Sequence, residues 1–226
     1  MDGVRLADGD TGAPQTLRQR KKAQTRQALV VEALESFTLH GADAVTLDDL
    51  CLRVGVSKRT FFRYFTSKED VAMTPLQDMW REFLRRLQSQ PRSRATDTAV
   101  LSVLHDTLVA AIRECADRDA NWTHLVRLAL GLDAAHQSFA AHNLRFCDEA
   151  VEAALNAVAP ILNISVTDDP RPRLLLGLFL VASRSAQRAW ILRADDDASA
   201  ESLILLVDDT VAALPASLGL KAAPRS

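Results

Sequence analysis

The stretch T-L-D-D-L-C-L-R-V-G-V-S-K-R-T-F-F-R-Y-F-T-S-K-E-D, from Thr46 to Asp70, decides the fold. Thr46 opens a short helix, and Asp49 three residues later completes a capping box in which each side chain satisfies a backbone N–H. Leu47, Leu50, Cys51 and Val54 form its apolar stripe. Gly55 sits where a tight turn needs an unhindered backbone, and Ser57 caps the next helix. Val56 and Phe61 are spaced as the two halves of a hydrophobic staple. At about 100° per residue, Phe61 and Phe65 share one face of that third helix, while Arg59, Phe62 and Arg63 lie on the other. Ser67 and Asp70 repeat the capping-box spacing and start a fourth helix. It is expected to restart or kink near Pro75 and to run through Trp80, Phe83, Leu84 and Leu87 to about Gln90.

Before this stretch, Leu29, Val30, Ala33 and Phe37 form one stripe of a helix predicted over Leu17 to His40, with Gly41 placed as its C-terminal cap. Met1 to Thr16 is rich in Gly, Asp and Ala without periodicity and reads as a flexible tail. After Pro91, helices are predicted at Thr96 to Ala116, Asn121 to Leu132, Ala134 to Ala159, Pro172 to Arg193 and Ser199 to Leu214. The breaks are assigned to Gly131 and Asp133, to Pro160 through Pro172, and to Asp195 through Asp197 before a Ser199 cap. No strand alternation is found. The expected fold is therefore all-α: a tail at 1–16, a three-helix helix-turn-helix domain at 17–66, a helical ligand-binding and dimerisation domain at 67–216, and a second tail at 217–226.

Charge is unevenly distributed along the 226 residues, although the net charge is only −2. From Arg18 to Lys68 ten basic residues face five acidic ones, whereas from Glu69 onward sixteen basic residues face twenty-one acidic ones. A basic head on an acidic body suits a protein that meets phosphate with one end only. Cys51, Cys115 and Cys147 are far apart and odd in number, which argues against both a disulfide framework and a zinc knuckle. The most apolar segment, Leu174 to Ala182, is too short to span a bilayer, and no leader pattern is seen, so a cytoplasmic protein without membrane partners is expected.

A capped short helix, a Gly-centred turn and a second short helix with outward basic and aromatic residues is the helix-turn-helix plan, in which the second helix enters the major groove. The Thr46 to Asp70 stretch, with Thr25, Arg26, Ala33, Phe37 and Gly41 before it, resembles the signature of the TetR family of bacterial regulators. The resemblance covers roughly the first third of the chain. It implies an all-α homodimer, a repressor released from its double-stranded DNA operator by a small molecule bound in the C-terminal helices. It also implies a dimer interface built by the last two long helices, here 172–193 and 199–214. Gly177, Ala182, Ser183 and Ala186 on the first of these would permit close helix approach.

Lys58, Arg59 and Arg63 can contact phosphates or guanine edges, and Thr46, Ser57, Thr60, Tyr64 and Lys68 can bond backbone phosphates. The helix starts at Ser57 and Ser67 present further N–H groups. Arg18, Arg20, Lys21 and Lys22 can lie along the backbone or inside an adjacent minor groove. Two positions depart from the family pattern. Phe62 stands where Tyr is common, which loses a hydroxyl but leaves a ring able to stack or touch a thymine methyl. Cys51 replaces a common Ala and reads as a small buried hydrophobe.

Candidates for an effector pocket, by residue type, are Trp80, Phe83, Trp122, His124, Phe139, His142 and Phe146. For each, the competing reading is a packed core aromatic or a surface histidine. Catalysis is not indicated: His105, His124, His136 and His142 give no i, i+4 metal pair, and neither a nucleophile elbow nor a Gly-rich phosphate loop is present. Nothing asks for a metal or a cofactor. A protein-interaction use of the helix-turn-helix would be favoured by loss of the outward cations, and Lys58, Arg59, Arg63 and Lys68 are all present.

Overall fold

The structure is a computed structural model that describes residues 16–90, 99–162, 168–193 and 198–220. Among these residues it is entirely helical: α1 (Leu17–His40), α2 (Leu47–Val54), α3 (Lys58–Phe61), α4 (Lys68–Gln88), α5 (Val100–Arg118), α6 (Trp122–Ala135), α7 (Gln137–Leu162), α8 (Arg171–Ile191) and α9 (Ala200–Ser217). The expected start at Thr96, the Asp195 to Asp197 break and most of both expected tails lie outside the described residues.

Local chemistry sets the first boundaries. Thr16, expected in the tail, is instead the N-cap of α1, exchanging capping-box hydrogen bonds with Gln19. α1 ends at Gly41, whose φ of 87° lies where a side chain would be strained and whose N–H reaches the Phe37 carbonyl. Its inner face buries Leu29, Val30, Ala33, Leu34 and Phe37 against α2 and α4.

α4 is the central element, packed on α1, α5, α6 and α7. Its residues Val71 through Gln77 are all buried, so this stretch of about two turns is enclosed on every side, as only a core helix can be. The expected kink at Pro75 is not a boundary, because the helix runs without interruption through it. The enclosing neighbours hold the local geometry, and the Pro75 carbonyl accepts the Trp122 indole N–H of α6 at 3.3 Å. Further along α4, Glu82 is 5% exposed and satisfied by Arg85, Arg86 and Arg118. The Arg85 hydrogen bond, opposed by burial, holds its carboxyl below the usual carboxylate range.

Two later breaks also differ from expectation. α6 continues past Gly131 and Asp133, and only His136 separates it from α7. Neither residue stops the helix: Gly131 lies within regular helix, and Asp133 accepts a hydrogen bond from Asn143 of α7 at 2.9 Å, tying the corner together. α7 likewise extends to Leu162 rather than stopping before Pro160. Ser199 caps α9 as expected, forming a capping box with Ser202.

α8 and α9 pair closely. Trp190 is fully buried between them and donates its indole N–H to Ser202 Oγ at 2.9 Å and to the Ser199 carbonyl at 3.1 Å. Ala182, Ser183 and Ala186 are spent on packing within the chain, not on an outer face. α9 is also pinned to α5, where His105 Nε2 lies 2.6 Å from Asp208 Oδ1 and Nδ1 lies 3.0 Å from Asp106 Oδ1.

That pin should be pH-dependent. Burial lowers the His105 pKa, but the hydrogen bonds and charges of Asp106 and Asp208 outweigh it and raise the value above the ordinary 6.5. A raised folded-state value means the stabilisation is fully present below about pH 6.5 and is lost as pH rises through the folded-state value. Thermal unfolding from about pH 5.5 to 8.5 should show wild-type stability falling relative to H105N across that interval; parallel profiles would contradict the assignment.

Candidate nucleic-acid interface

The helix-turn-helix is assembled from interlocking local bonds. Thr46 Oγ1 accepts the Asp49 N–H at 3.2 Å and donates to Asp49 Oδ2 at 2.6 Å, while the Thr46 N–H reaches the same carboxylate at 2.9 Å. These bonds lower the Asp49 carboxyl below its usual range. α2 ends at Gly55 in the left-handed region (φ 71°, ψ 36°), and the Val56 N–H returns to the Cys51 carbonyl at 2.9 Å. Ser57 then caps α3 by accepting the Thr60 N–H at 3.1 Å.

α3 is shorter than the sequence suggests. Regular helix ends after Phe61, and the chain closes in turns whose N–H groups from Arg63, Tyr64 and Phe65 reach carbonyls three or four residues back. Phe61 and Phe65 are nevertheless buried together, with ring centroids 5.5 Å apart, so they anchor the turn as their spacing predicts. Arg26 of α1 covers the Phe65 ring at 5.7 Å and forms a two-pronged bridge to Asp78 of α4, at 2.8 and 2.9 Å. That bridge joins residues 52 apart, which no local spacing could reveal.

The outward face carries Lys58, Arg59, Phe62 and Arg63, all exposed. Lys58 pairs with Asp48 of α2 at 2.8 Å. Arg63 lies over the half-buried Tyr64 ring at 5.1 Å and donates to its hydroxyl at 3.3 Å. Arg59 has no side-chain partner among the described residues and is the cation most available to an incoming ligand. The Ser57 and Thr60 hydroxyls are 3.0 Å apart, so one donates to the other and a single proton is left for a further acceptor. The Thr46 hydroxyl already gives its proton to Asp49 and serves the fold first.

Lys68 also serves the fold first. Its ammonium donates to the carbonyls of Ala42 and Val45, both at 2.6 Å, and lies over the Phe37 ring at 5.5 Å, clamping the α1–α2 connection to the start of α4. Of its three donors, one is left for a phosphate. At the same joint, Ser67 accepts the Asp70 N–H, but the Asp70 carboxylate reaches past the expected box to the Thr66 N–H and hydroxyl, at 2.8 and 3.0 Å.

Arg18, Arg20, Lys21 and Lys22 are exposed on the first turns of α1. A helix with its side chains is about 10–12 Å across and a minor groove about 6 Å wide, so the body of α1 itself does not fit such a groove, and any contact of this cluster is made by its long side chains.

The seven aromatic and histidine residues expected to line a pocket do not meet in one place. Trp80 and Phe83 alone line a common apolar cavity, with Cys147, Ala150, Val151 and Ala154 of α7 and Leu176, Phe179 and Leu180 of α8. It holds about 20 Å³, the room of one water. Trp122 is committed to Pro75, and Phe139 packs edge-on against Phe37. Phe146 lies under Arg81, and His124 is exposed on the outer side of α6. His142 sits 3.1 Å from Gln77 Nε2 and 3.7 Å from Asp70 Oδ1, on the bond network of the joint. Sequence reasoning names the aromatic residues by type and misses the α8 wall, whose Leu and Phe look like any core. The three thiols are buried, and burial pushes Cys115 to about 12 and Cys147 to about 11, so neither is poised as a thiolate.

The family model for bacterial regulatory proteins of the tetR family matches residues 29–72 of this chain. The HTH-type transcriptional regulator TcmR of Streptomyces glaucescens is 32% identical over 189 residues, covering 83% of this chain and 82% of that protein. The putative mycofactocin biosynthesis transcriptional regulator MftR of Mycobacterium tuberculosis is 35% identical over 52 residues, 23% of this chain and 26% of its own. Among solved structures, a putative TetR-family regulator from Syntrophomonas wolfei superposes with a TM-score of 0.54 at 15% identity, over 89% of this chain and 99% of its own. The fatty acid degradation regulator FadR from Bacillus halodurans gives 0.52 at 19% identity, over 87% and 97%. These two likenesses establish the shared fold.

The division between committed and uncommitted cations is measurable. In urea denaturation, K68M should lose about 1–3 kcal/mol through two abandoned carbonyls, whereas R59A should stay within about 0.5 kcal/mol of wild type. Equal stability of the two variants would refute the clamp.

Proposed function

The chain belongs to the TetR family of bacterial transcriptional regulators, and from that premise we propose that it is a repressor that binds a pseudo-palindromic operator as a homodimer and releases it when a small molecule enters its C-terminal helices. The observation that carries this reading is the outward face of α3, where Arg59 stands uncommitted beside Lys58, Phe62 and Arg63 on a turn anchored by two buried rings. A fixed backbone under long cationic side chains is what base-edge recognition requires, and good bidentate contacts discriminate by about 1–3 kcal/mol each. The basic α1 start adds phosphate contacts that position the head without reading sequence. A role on chromosomal DNA places the protein in the cytoplasm and leaves catalysis no part.

Dimerisation is supported by an apolar stripe left exposed on the last two helices. On α8, Leu174, Leu178 and Val181 follow one another at helical spacing, with Leu174 62% and Val181 60% exposed, and Leu205 of α9 is 59% exposed. A monomer gains nothing from such a stripe, whereas a two-fold axis pairs it with itself. The effector reading rests on the cavity behind Trp80 and Phe83. Its apolar lining favours an apolar ligand, and its present size means that binding must part α4 from α7 and α8. A ligand that fits only the parted state shifts the population toward it, and α4 carries that change to the head.

Selection of duplexes from a random library, followed by anisotropy titration, tests the DNA reading. Affinity for the selected site should fall steeply between about 100 and 300 mM salt, and R59A and R63A should lose specific binding while remaining folded. Retained operator binding in both variants would refute the reading face. Separately, V181D should sediment as a monomer where the wild type sediments as a dimer; a dimeric V181D would place the interface elsewhere.

A further inference from the structure

Phe62 is the exposed ring of the reading turn. Phe61 and Phe65 on either side of it are buried, Tyr64 is half-buried, and Phe62 is 54% exposed. The ring is held, not loose: it stands edge-on to Phe61, with centroids 5.5 Å apart and planes at 90°, and Phe61 is itself locked against Phe65. The fold therefore gains little from this ring and yet fixes its position in front of the surface. Arg59, three residues earlier, lies beside it on the same helical face. Lys58 and Arg63 are tied to Asp48 and Tyr64.

A phenyl ring has no donor or acceptor, so it cannot answer the hydrogen-bonding pattern of a base edge. The apolar feature that a base pair offers in the major groove is the 5-methyl group of thymine. We infer that Phe62 is a specificity-determining residue that packs on the 5-methyl group of a thymine in each operator half-site, next to the base pair contacted by Arg59. The inference rests on the operator-reading role proposed above. A ring already fixed by Phe61 loses little freedom on contact, so the burial of the methyl group is realised as affinity.

The probe is the duplex that the wild-type protein itself selects from a random library, with each thymine replaced in turn by 2′-deoxyuridine, which pairs identically but lacks the methyl. One thymine position per half-site should show a loss of about four-fold, rising to about fifteen-fold when both half-sites carry the change. F62A should bind the thymine and uridine duplexes alike, and F62Y, which keeps the ring, should still distinguish them. Losses under about two-fold at every thymine, or a half-site selected without thymine, would overturn the inference while leaving operator binding intact. So would equal discrimination by F62A and wild type, or a uniform weakening of F62A on all duplexes, the behaviour of a wedge or a backbone contact. Failure of the wild type to select any duplex would instead remove the operator-reading role itself. The uridine scan uses wild-type protein and decides the matter even if F62A does not fold.

Discussion

The enclosure of α4 is the constraint on which the rest of the structure depends. Seven consecutive residues, Val71 to Gln77, have no solvent-facing side, so every polar group among them needs a protein partner. Thr74 bonds the Asp70 carbonyl, Gln77 meets His142 and Arg81, and the Pro75 carbonyl takes the Trp122 indole. Each partner comes from α4 itself or from a helix whose position it thereby fixes. Satisfying the polar atoms of one buried helix thus specifies how α6 and α7 lie on it, which apolar burial alone would leave free to slide.

The same helix begins at the reading head. Asp70 holds Thr66 at the end of the recognition turn, and its own carboxylate faces His142 of α7. Burial would raise the Asp70 pKa, but hydrogen bonds from His142 and Thr66 outweigh it and keep the carboxyl low. Little more than one helical turn beyond His142, α7 reaches Cys147, which lines the cavity with Trp80 and Phe83. A displacement of α7 relative to α4 at the cavity therefore strains a bond network that ends on the backbone of the recognition turn. Two discrete arrangements of such a network are the physical content of coupling between sites.

How much of this is legible in the sequence follows the range of the interactions. Caps and staples join residues three to five apart, so Thr46 with Asp49, Gly55, Ser57, and Phe61 with Phe65 can all be placed from spacing alone. Asp70 departs from its expected partner by a single residue, because Thr66 and Ser67 both offer an N–H at the same helix start. Pro75 departs further in that the helix does not restart there, since its preference to end a helix is opposed by packing that only the tertiary structure supplies. Lys68 and Arg26 illustrate the harder limit. By type both are cations in a basic head, and nothing local shows that one caps carbonyls 23 and 26 residues away while the other grips Asp78. The pocket is illegible for a related reason: residue type names what an aromatic can do, whereas facing direction decides what it does.

The cations of the helix-turn-helix divide into paired and unpaired groups. If every basic residue were free, mutual repulsion on so small a surface would oppose folding. Instead Lys58, Arg26 and Arg53 are paired with Asp48, Asp78 and Glu32, and Lys68 is held by carbonyls. The pairing discharges much of the self-repulsion and leaves Arg59 as the least committed cation of α3. A guanidinium without an internal partner keeps its full hydration until a ligand replaces it, so only a site that supplies matched acceptors at a base edge offsets that lost hydration. Carboxylates that occupy the neighbouring cations reduce the non-specific attraction on which any phosphate could draw.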